Sequence, residues 1–345
     1  MSHPPLLAWH IDRQHQRAEL GDLQLESGDV IRGYVQSYVT HGTLDAERSN
    51  AVLICSAITG NHHRLDYLIG ANRALDPARW FVVAVDPIGN GLSTSPSNSR
   101  DQPRMRFPRF AIRDMVTAQR RLLCEVLGVR HLAAVIGASM GGMQALQWAV
   151  SHGEMVGSIA AMTAPARTSP WSIAVNEATR SCLLSDPHWN GSEFVGSPER
   201  GWHAWLLVQR MLASRSPESI EHEFRGRDDV LAALDRIERA WQATRFDPHD
   251  FLYQSWAYDA HDIGSTPGLP GDVGSALRSI RARSMLLAPP VDLYNPASGP
   301  KQVASMIAGA RFVEIPSIHG HQATGGLDEG DRRFLNDVIG AFLRD

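Results

Sequence analysis

The sequence predicts an α/β fold, with a mainly parallel sheet covered on both faces and interrupted by a helical insertion. Three observations carry this expectation. Short apolar runs alternate along the chain with stretches of helical period. A serine flanked by glycines joins one such run to a helix rich in small residues. A long, strand-poor segment then separates the early apolar runs from the late ones.

Leu20 to Thr40 alternates apolar and polar residues around a Ser-Gly-Asp turn signal, which reads as two or three antiparallel strands. The runs AVLICS (51–56), WFVVAVD (80–86) and HLAAVIG (131–137) are continuously apolar, as strands buried on both faces are. Between Phe110 and Leu127, the residues Ile112, Met115, Val116, Gln119 and Leu122–Leu123 recur at helical spacing. GSIAAM (157–162) is a further strand. Pro165 to Gly274 is helical in texture and holds Trp171, Trp189, Trp202, Trp205, Trp241 and Trp256. An insertion of roughly 100 residues is too long for a structureless loop, so a cap is expected. Strands resume at SMLLAPP (284–290) and ARFVEIP (310–316), and a helix from Asp331 to Leu343 closes the chain. The domain reading is therefore an α/β core, 1–164 with 275–345, and a helical cap, 165–274.

A chain of 345 residues can bury a substantial core. Its formal net charge of -4 gives no electrostatic footprint for nucleic acid. Cys55, Cys124 and Cys182 are too few and too scattered for a disulfide framework or a zinc cage, and they fit a reducing compartment. The amino-terminal stretch has no apolar h-region, and no apolar run reaches membrane-spanning length. A cytoplasmic protein with no membrane partner is expected. Of the 15 histidines, His62 and His63 are neighbours, and adjacent loop residues seldom ligate one metal together. No HExxH pattern or Cys/His cluster is present, so neither metal nor cofactor is expected.

Gly137-Ala138-Ser139-Met140-Gly141 lies between the apolar run HLAAVI and the helical stretch GGMQALQWAV. That is the strand–turn–helix setting of a nucleophile elbow, and it specifies the α/β-hydrolase fold. The serine sits on a strained turn, so its neighbours must be nearly free of side chains. Serine needs an adjacent base that is itself held by an acid, and in this fold the order is Ser, then Asp or Glu, then His. Asp292 follows the strand SMLLAPP and is the candidate acid. Two histidines, His319 and His321, follow the last strand, and spacing alone does not choose between them. The backbone N–H of Met140 is one candidate oxyanion donor, and that of Ile58, in the loop after AVLIC, is the other.

Several segments resemble the homoserine O-acetyltransferase family. They are AITG after the third strand, ALDPARWFVVAVDPIGNG, FPRFAIRDMVTAQ and above all GASMGGMQALQWA. The likeness continues through NEATR (176–180), DPHWNG (186–191), YDAHDIG (258–264), VDLYNP and HGHQA, nearly the whole chain. The resemblance implies a triad of Ser139, Asp292 and His321, and so selects His321 over His319. It implies oxyanion donors at Ile58 and Met140, and a polar residue facing the pocket at Arg180. It also implies a homodimer.

Two departures bear on function. The family carries an aspartate directly after the catalytic histidine, where it helps hold the amino group of the amino-acid substrate. Gln322 stands there in this chain. The family also carries a tyrosine after an Arg-Met pair, whereas Arg210-Met211 is followed here by LASRSPES. The catalytic pattern is retained and the amino-acid recognition is altered. The expected activity is therefore hydrolysis of small uncharged esters, plausibly acetates. Acetyl transfer from acetyl-CoA to homoserine or another alcohol is the alternative, and a carboxylate such as Asp259 or Asp262 reaching the pocket would favour it. A non-catalytic binding protein is a third reading, and the intact triad pattern argues against it.

Overall fold

The computed structural model describes residues 6, 7, 9–244 and 246–345. Met1 to Pro5, Ala8 and Arg245, which fall inside the domain ranges read from sequence, lie outside the described residues. The strands are β1 (Gln16–Gln24), β2 (Val30–His41), β3 (Ala51–Cys55), β4 (Phe81–Val85), β5 (Ala134–Ala138), β6 (Ser158–Met162), β7 (Arg283–Ala288) and β8 (Arg311–Glu314). They form one eight-stranded sheet in the order β1-β2-β4-β3-β5-β6-β7-β8. β1 and β2 are antiparallel, β2 meets β4 antiparallel, and every pairing from β4 onward is parallel. This is the mostly parallel α/β-hydrolase sheet the sequence predicts.

The central strands are apolar throughout because helices cover both faces. One face packs Val116 of α1 (Ile112–Arg121) and Trp148 of α2 (Met140–Ser151). The other packs Leu335, Ile339 and Phe342, which belong to the closing carboxy-terminal helix (Glu329–Arg344). The first antiparallel pair begins earlier than the alternation suggested. Register shifts between Glu19 and Gly21 and between Gly21 and Leu23 break the two-residue period there.

Between β6 and β7 the chain forms α3 (Pro170–Leu184), α4 (Glu199–Leu206), α5 (Pro217–Glu223), α6 (Arg227–Thr244) and α7 (Pro248–Asp259). It leaves and re-enters the core through a paired neck. Thr168 N–H donates to His261 O at 3.0 Å, Ile263 N–H donates to Ala166 O at 3.0 Å, and Arg167 pairs with Asp262 at 2.7 Å. Within the insertion, Trp202, Trp205, Trp241 and Phe251 form an aromatic core, with the Trp205 and Trp241 rings stacked at 4.8 Å. The helix α7 bridges the two bodies. Its Phe251 and Leu252 join that aromatic core, while Tyr253, Ala257 and Tyr258 pack with the sheet. The next helix, α8 (Val273–Ser279), packs through Ala276 and Leu277 on the sheet side. No described helix is long and apolar enough to cross a membrane.

The passage from β5 into α2 has almost no room. A methyl group added to Gly141 would lie 2.1 Å from the Cys55 carbonyl oxygen, and one on Gly137 would lie 2.1 Å from the Gly141 carbonyl oxygen. Both contacts are with backbone, which cannot rotate aside. Gly141→Ala should therefore force β3 away from α2 and lower stability by about 3 kcal/mol. Chemical denaturation of the variant against the parent protein checks this.

Candidate active site

Ser139 stands between β5 and α2 with φ 57° and ψ -123°, in a region that L residues with a Cβ rarely occupy. Such a conformation costs about 1–3 kcal/mol and persists only where the surroundings enforce it. Here the enforcement is local. Ser139 N–H donates to Met162 O at 2.9 Å on β6, and Ser139 O accepts from Met143 N–H at 3.0 Å in α2. Ser139 is 1% exposed, and its Oγ has no hydrogen-bond partner among the described residues. Met140 is the first residue of α2, where backbone N–H groups have no intrahelical acceptor.

Asp292 and His321 arrive from the loops after β7 and β8. His321 Nδ1 lies 2.7 Å from Asp292 Oδ2. The other oxygen, Oδ1, accepts from Tyr294 N–H and Asn295 N–H, each at 2.8 Å. The carboxylate is thus held at both oxygens, and it orients the imidazole in turn. The Tyr294 ring meets the imidazole edge-on at 5.0 Å. The backbone at Gly320 has φ 62°, and an added methyl there would lie 2.8 Å from Ser216 N, so the turn into His321 requires glycine. His319 faces elsewhere: its Nδ1 lies 2.9 Å from Asp331 Oδ2. Burial raises the Asp331 carboxyl above its ordinary value.

Ser139, His321, Ile58, Tyr294 and Gln322 line one cavity of about 250 Å³. Gln322 Nε2 donates to Arg210 O at 3.3 Å. No carboxylate lines this cavity among the described residues, but Arg64 and Arg210 do. Burial, reinforced by the nearby charge of Arg64, lowers the Arg210 guanidinium to about 10. Burial lowers Arg64 as well.

Arg180, expected to face the pocket, is not among the residues lining this cavity. It is buried and pairs with Asp259 at 2.6 Å and Glu177 at 2.6 Å. Asp259 also accepts from Asn176 Nδ2 at 2.7 Å, and Asn176 Oδ1 accepts the Tyr294 hydroxyl at 2.5 Å. Arg180 therefore anchors a hydrogen-bonded chain that ends on the tyrosine beside His321. Asp262 is taken up by Arg167 at the neck. Neither Asp259 nor Asp262 lines the cavity.

The family profile described as alpha/beta hydrolase fold matches residues 50–237. A homoserine O-acetyltransferase of Nostoc punctiforme is 35% identical, over 87% of this chain and 88% of that protein. The chain belongs to the homoserine O-acetyltransferase family of α/β hydrolases. Esterases stand near it too. An acetylester hydrolase from Corynebacterium glutamicum superposes with a TM-score of 0.90 at 28% identity, covering 96% of both chains. The acetyl esterase MekB does so at 0.89 and 28%, covering 96% of this chain and 97% of that one.

The members of this family are enzymes, so the groups that sequence reasoning overlooked matter. Arg64 reaches the cavity from the segment after β3, while Trp205, Gln209 and Ser214 lie along one continuous helical run from 199 to its cap at 214. His15, His62 and Asp86 also converge, with ligand atoms within 4.8 Å of one another, as do those of His319, Asp328 and Asp331. Sequence reasoning had found no metal-ligating cluster. Asp86 is fully buried and accepts from Ser37 Oγ at 2.5 Å and Asn90 Nδ2 at 3.1 Å as well. Burial opposes its ionisation, but the charge of His62 and hydrogen bonds from His15, His62 and Ser37 win, holding the carboxyl far below the usual range.

The two loop histidines should respond unequally to removal. His321→Ala should lower turnover by about four orders of magnitude, while His319→Ala keeps most of it. Steady-state kinetics of both variants reads the difference, and the reverse ranking would reassign the base.

Proposed function

We propose that the protein is a carboxylesterase for small uncharged esters. Ser139 Oγ attacks the ester carbonyl while His321 takes its proton, with Asp292 holding the imidazole in position. The N–H groups of Ile58 and Met140 receive the developing oxyanion. His321 then returns the proton to the departing alcohol, and water, activated by the same imidazole, releases the acid from the acyl-enzyme. The helices between β6 and β7 serve as the cap, and through Trp205, Arg210 and Phe251 they supply one wall of the cavity.

The observation that carries the substrate reading is the charge lining that cavity. An ammonium-bearing acceptor such as homoserine would meet Arg64 and Arg210 and the neutral Gln322, with no carboxylate lining the cavity among the described residues. A desolvated cation without a counter-charge is disfavoured by several kcal/mol. The esterase names of the structural neighbours support the same reading. Acetyl transfer from acetyl-CoA is the second reading, favoured by the 35% identity with a homoserine O-acetyltransferase. It fits this cavity with an acceptor that lacks an amine.

The deciding measurement sets acetate release from an alkyl acetate against formation of O-acetylhomoserine from acetyl-CoA. Hydrolysis should dominate by about a hundredfold or more. Ser139→Ala should abolish it and leave the fold intact. Efficient O-acetylhomoserine formation, with hydrolysis only a slow side reaction, would overturn the assignment.

A homodimer through the cap completes the proposal, because Leu212 and Leu231 are exposed there. Light scattering at micromolar concentration should return twice the chain mass, and a monomer would remove the dimer alone. The free state of Cys55, Cys124 and Cys182 supports a cytoplasmic location.

A further inference from the structure

Gln254 belongs to α7 of the insertion, is fully buried and does not line the cavity. Its amide nevertheless spans two loops of the α/β core. Thr59 N–H donates to Gln254 Oε1 at 2.9 Å, and Gln254 Nε2 donates to Ile88 O at 3.2 Å. The second bond fixes the first, because a flipped amide would set two donors and two acceptors face to face. The carbon stem reaches this position over Gly89, where an added methyl would lie 3.2 Å from Gln254 Cγ.

The loop it holds contains Ile58. Gly60 N–H donates to Ala57 O at 3.0 Å, which closes a turn with Ile58 and Thr59 at its centre. Thr59 has φ 56°, a left-handed conformation that a β-branched residue resists. Rotation of the peptide between Ile58 and Thr59 would relieve it, giving the commoner turn with both central φ angles negative. Thr59 N–H is part of that same peptide. Its bond to a buried acceptor opposes the rotation, since a rotated peptide would orphan both the N–H and Gln254 Oε1. The base of the loop has its own anchor: Gln144 Nε2 of α2 donates to Ser56 O at 3.0 Å.

We propose that Gln254 is a positioning residue for the oxyanion site. It ties the Ala57–Gly60 turn, in its strained form, to the insertion and to the loop at Ile88, and so fixes where Ile58, whose N–H lies on the preceding peptide, stands relative to the acyl carbonyl oxygen. The cap would then complete the catalytic machinery of the core as well as wall the cavity. The proposal rests on the reading of Ser139 as nucleophile and Ile58 as oxyanion donor.

The test uses the full chain, p-nitrophenyl acetate, and a fluorophosphonate that reacts at an activated serine. In Gln254→Met, which keeps the length and loses both hydrogen bonds, kcat should fall roughly ten- to a hundredfold with KM nearly unchanged. The rate of fluorophosphonate labelling should fall in step. Gln254→Glu, whose oxygen can still accept from Thr59 N–H, should recover most of the loss. A folded Gln254→Met with unchanged kcat, or with a raised KM at constant kcat, overturns the proposal. If Gln254→Met does not fold, Gln254→Asn, too short to hold both loops, must show the same kcat-selective loss, and full kcat there overturns it. A parent protein unlabelled at Ser139 overturns the reading of the site, and this proposal with it. A labelled parent and an equally reactive Gln254→Met overturn this proposal alone.

Discussion

The close approach of α2 to β3 is the constraint on which the rest of the structure depends. Gly141 lies so near the Cys55 carbonyl that no side chain fits between them. That contact sets the amino end of α2 against the carboxyl edge of the sheet, next to the positive φ of Ser139. It also places the loop after β3, with Ile58, beside the serine, since that loop begins at the residue the glycine touches. Hydrogen bonds from Ser139 N–H to β6 and from Gln144 to Ser56 then lock both neighbours in place. A strained serine is tolerable there because a buried parallel sheet supplies enough packing to offset a few kcal/mol locally.

Around that centre the polar groups sort by how they are compensated. Asp292 is saturated by two backbone N–H groups and one imidazole. Arg180 is buried as well, but Asp259 and Glu177 neutralise it. Arg64 and Arg210 differ, because they line the cavity itself and their guanidinium groups are depressed by burial. The cavity therefore sets Ser139 and His321 beside two arginines, in a positive local field. This physical feature separates it from a site built to hold an ammonium group, and a neutral Gln322 alone would not create it.

The legibility of the sequence tracks the range of the interactions. The buried strands declare themselves through five-residue apolar runs, and the elbow through glycines that a local turn demands. β1 was harder, because two register shifts erase its alternation. The choice of His321 over His319 needed the family likeness, since both follow the last strand. In the structure, Asp331 takes one of them and Asp292 the other. Arg180, which the family resemblance implied would face the pocket, is instead held by Asp259 and Glu177, because the sequence does not show which carboxylate its helix will meet.

By itself, the sequence determined the α/β core, the strand–turn–helix around Ser139, the placing of Asp292 and His321 after the two late strands, and a neutral Gln322 directly after His321. These are properties of residues close in the chain, where backbone sterics and hydrophobic period act directly. Tertiary structure alone decided that Arg64 and Arg210 share a cavity, that Arg180 supports Tyr294, and that Gln254 grips Thr59 from 195 positions away. Such contacts carry no local signature. A buried amide or guanidinium reads the same in sequence whatever it faces, and only packing of the insertion against the sheet settles its partner.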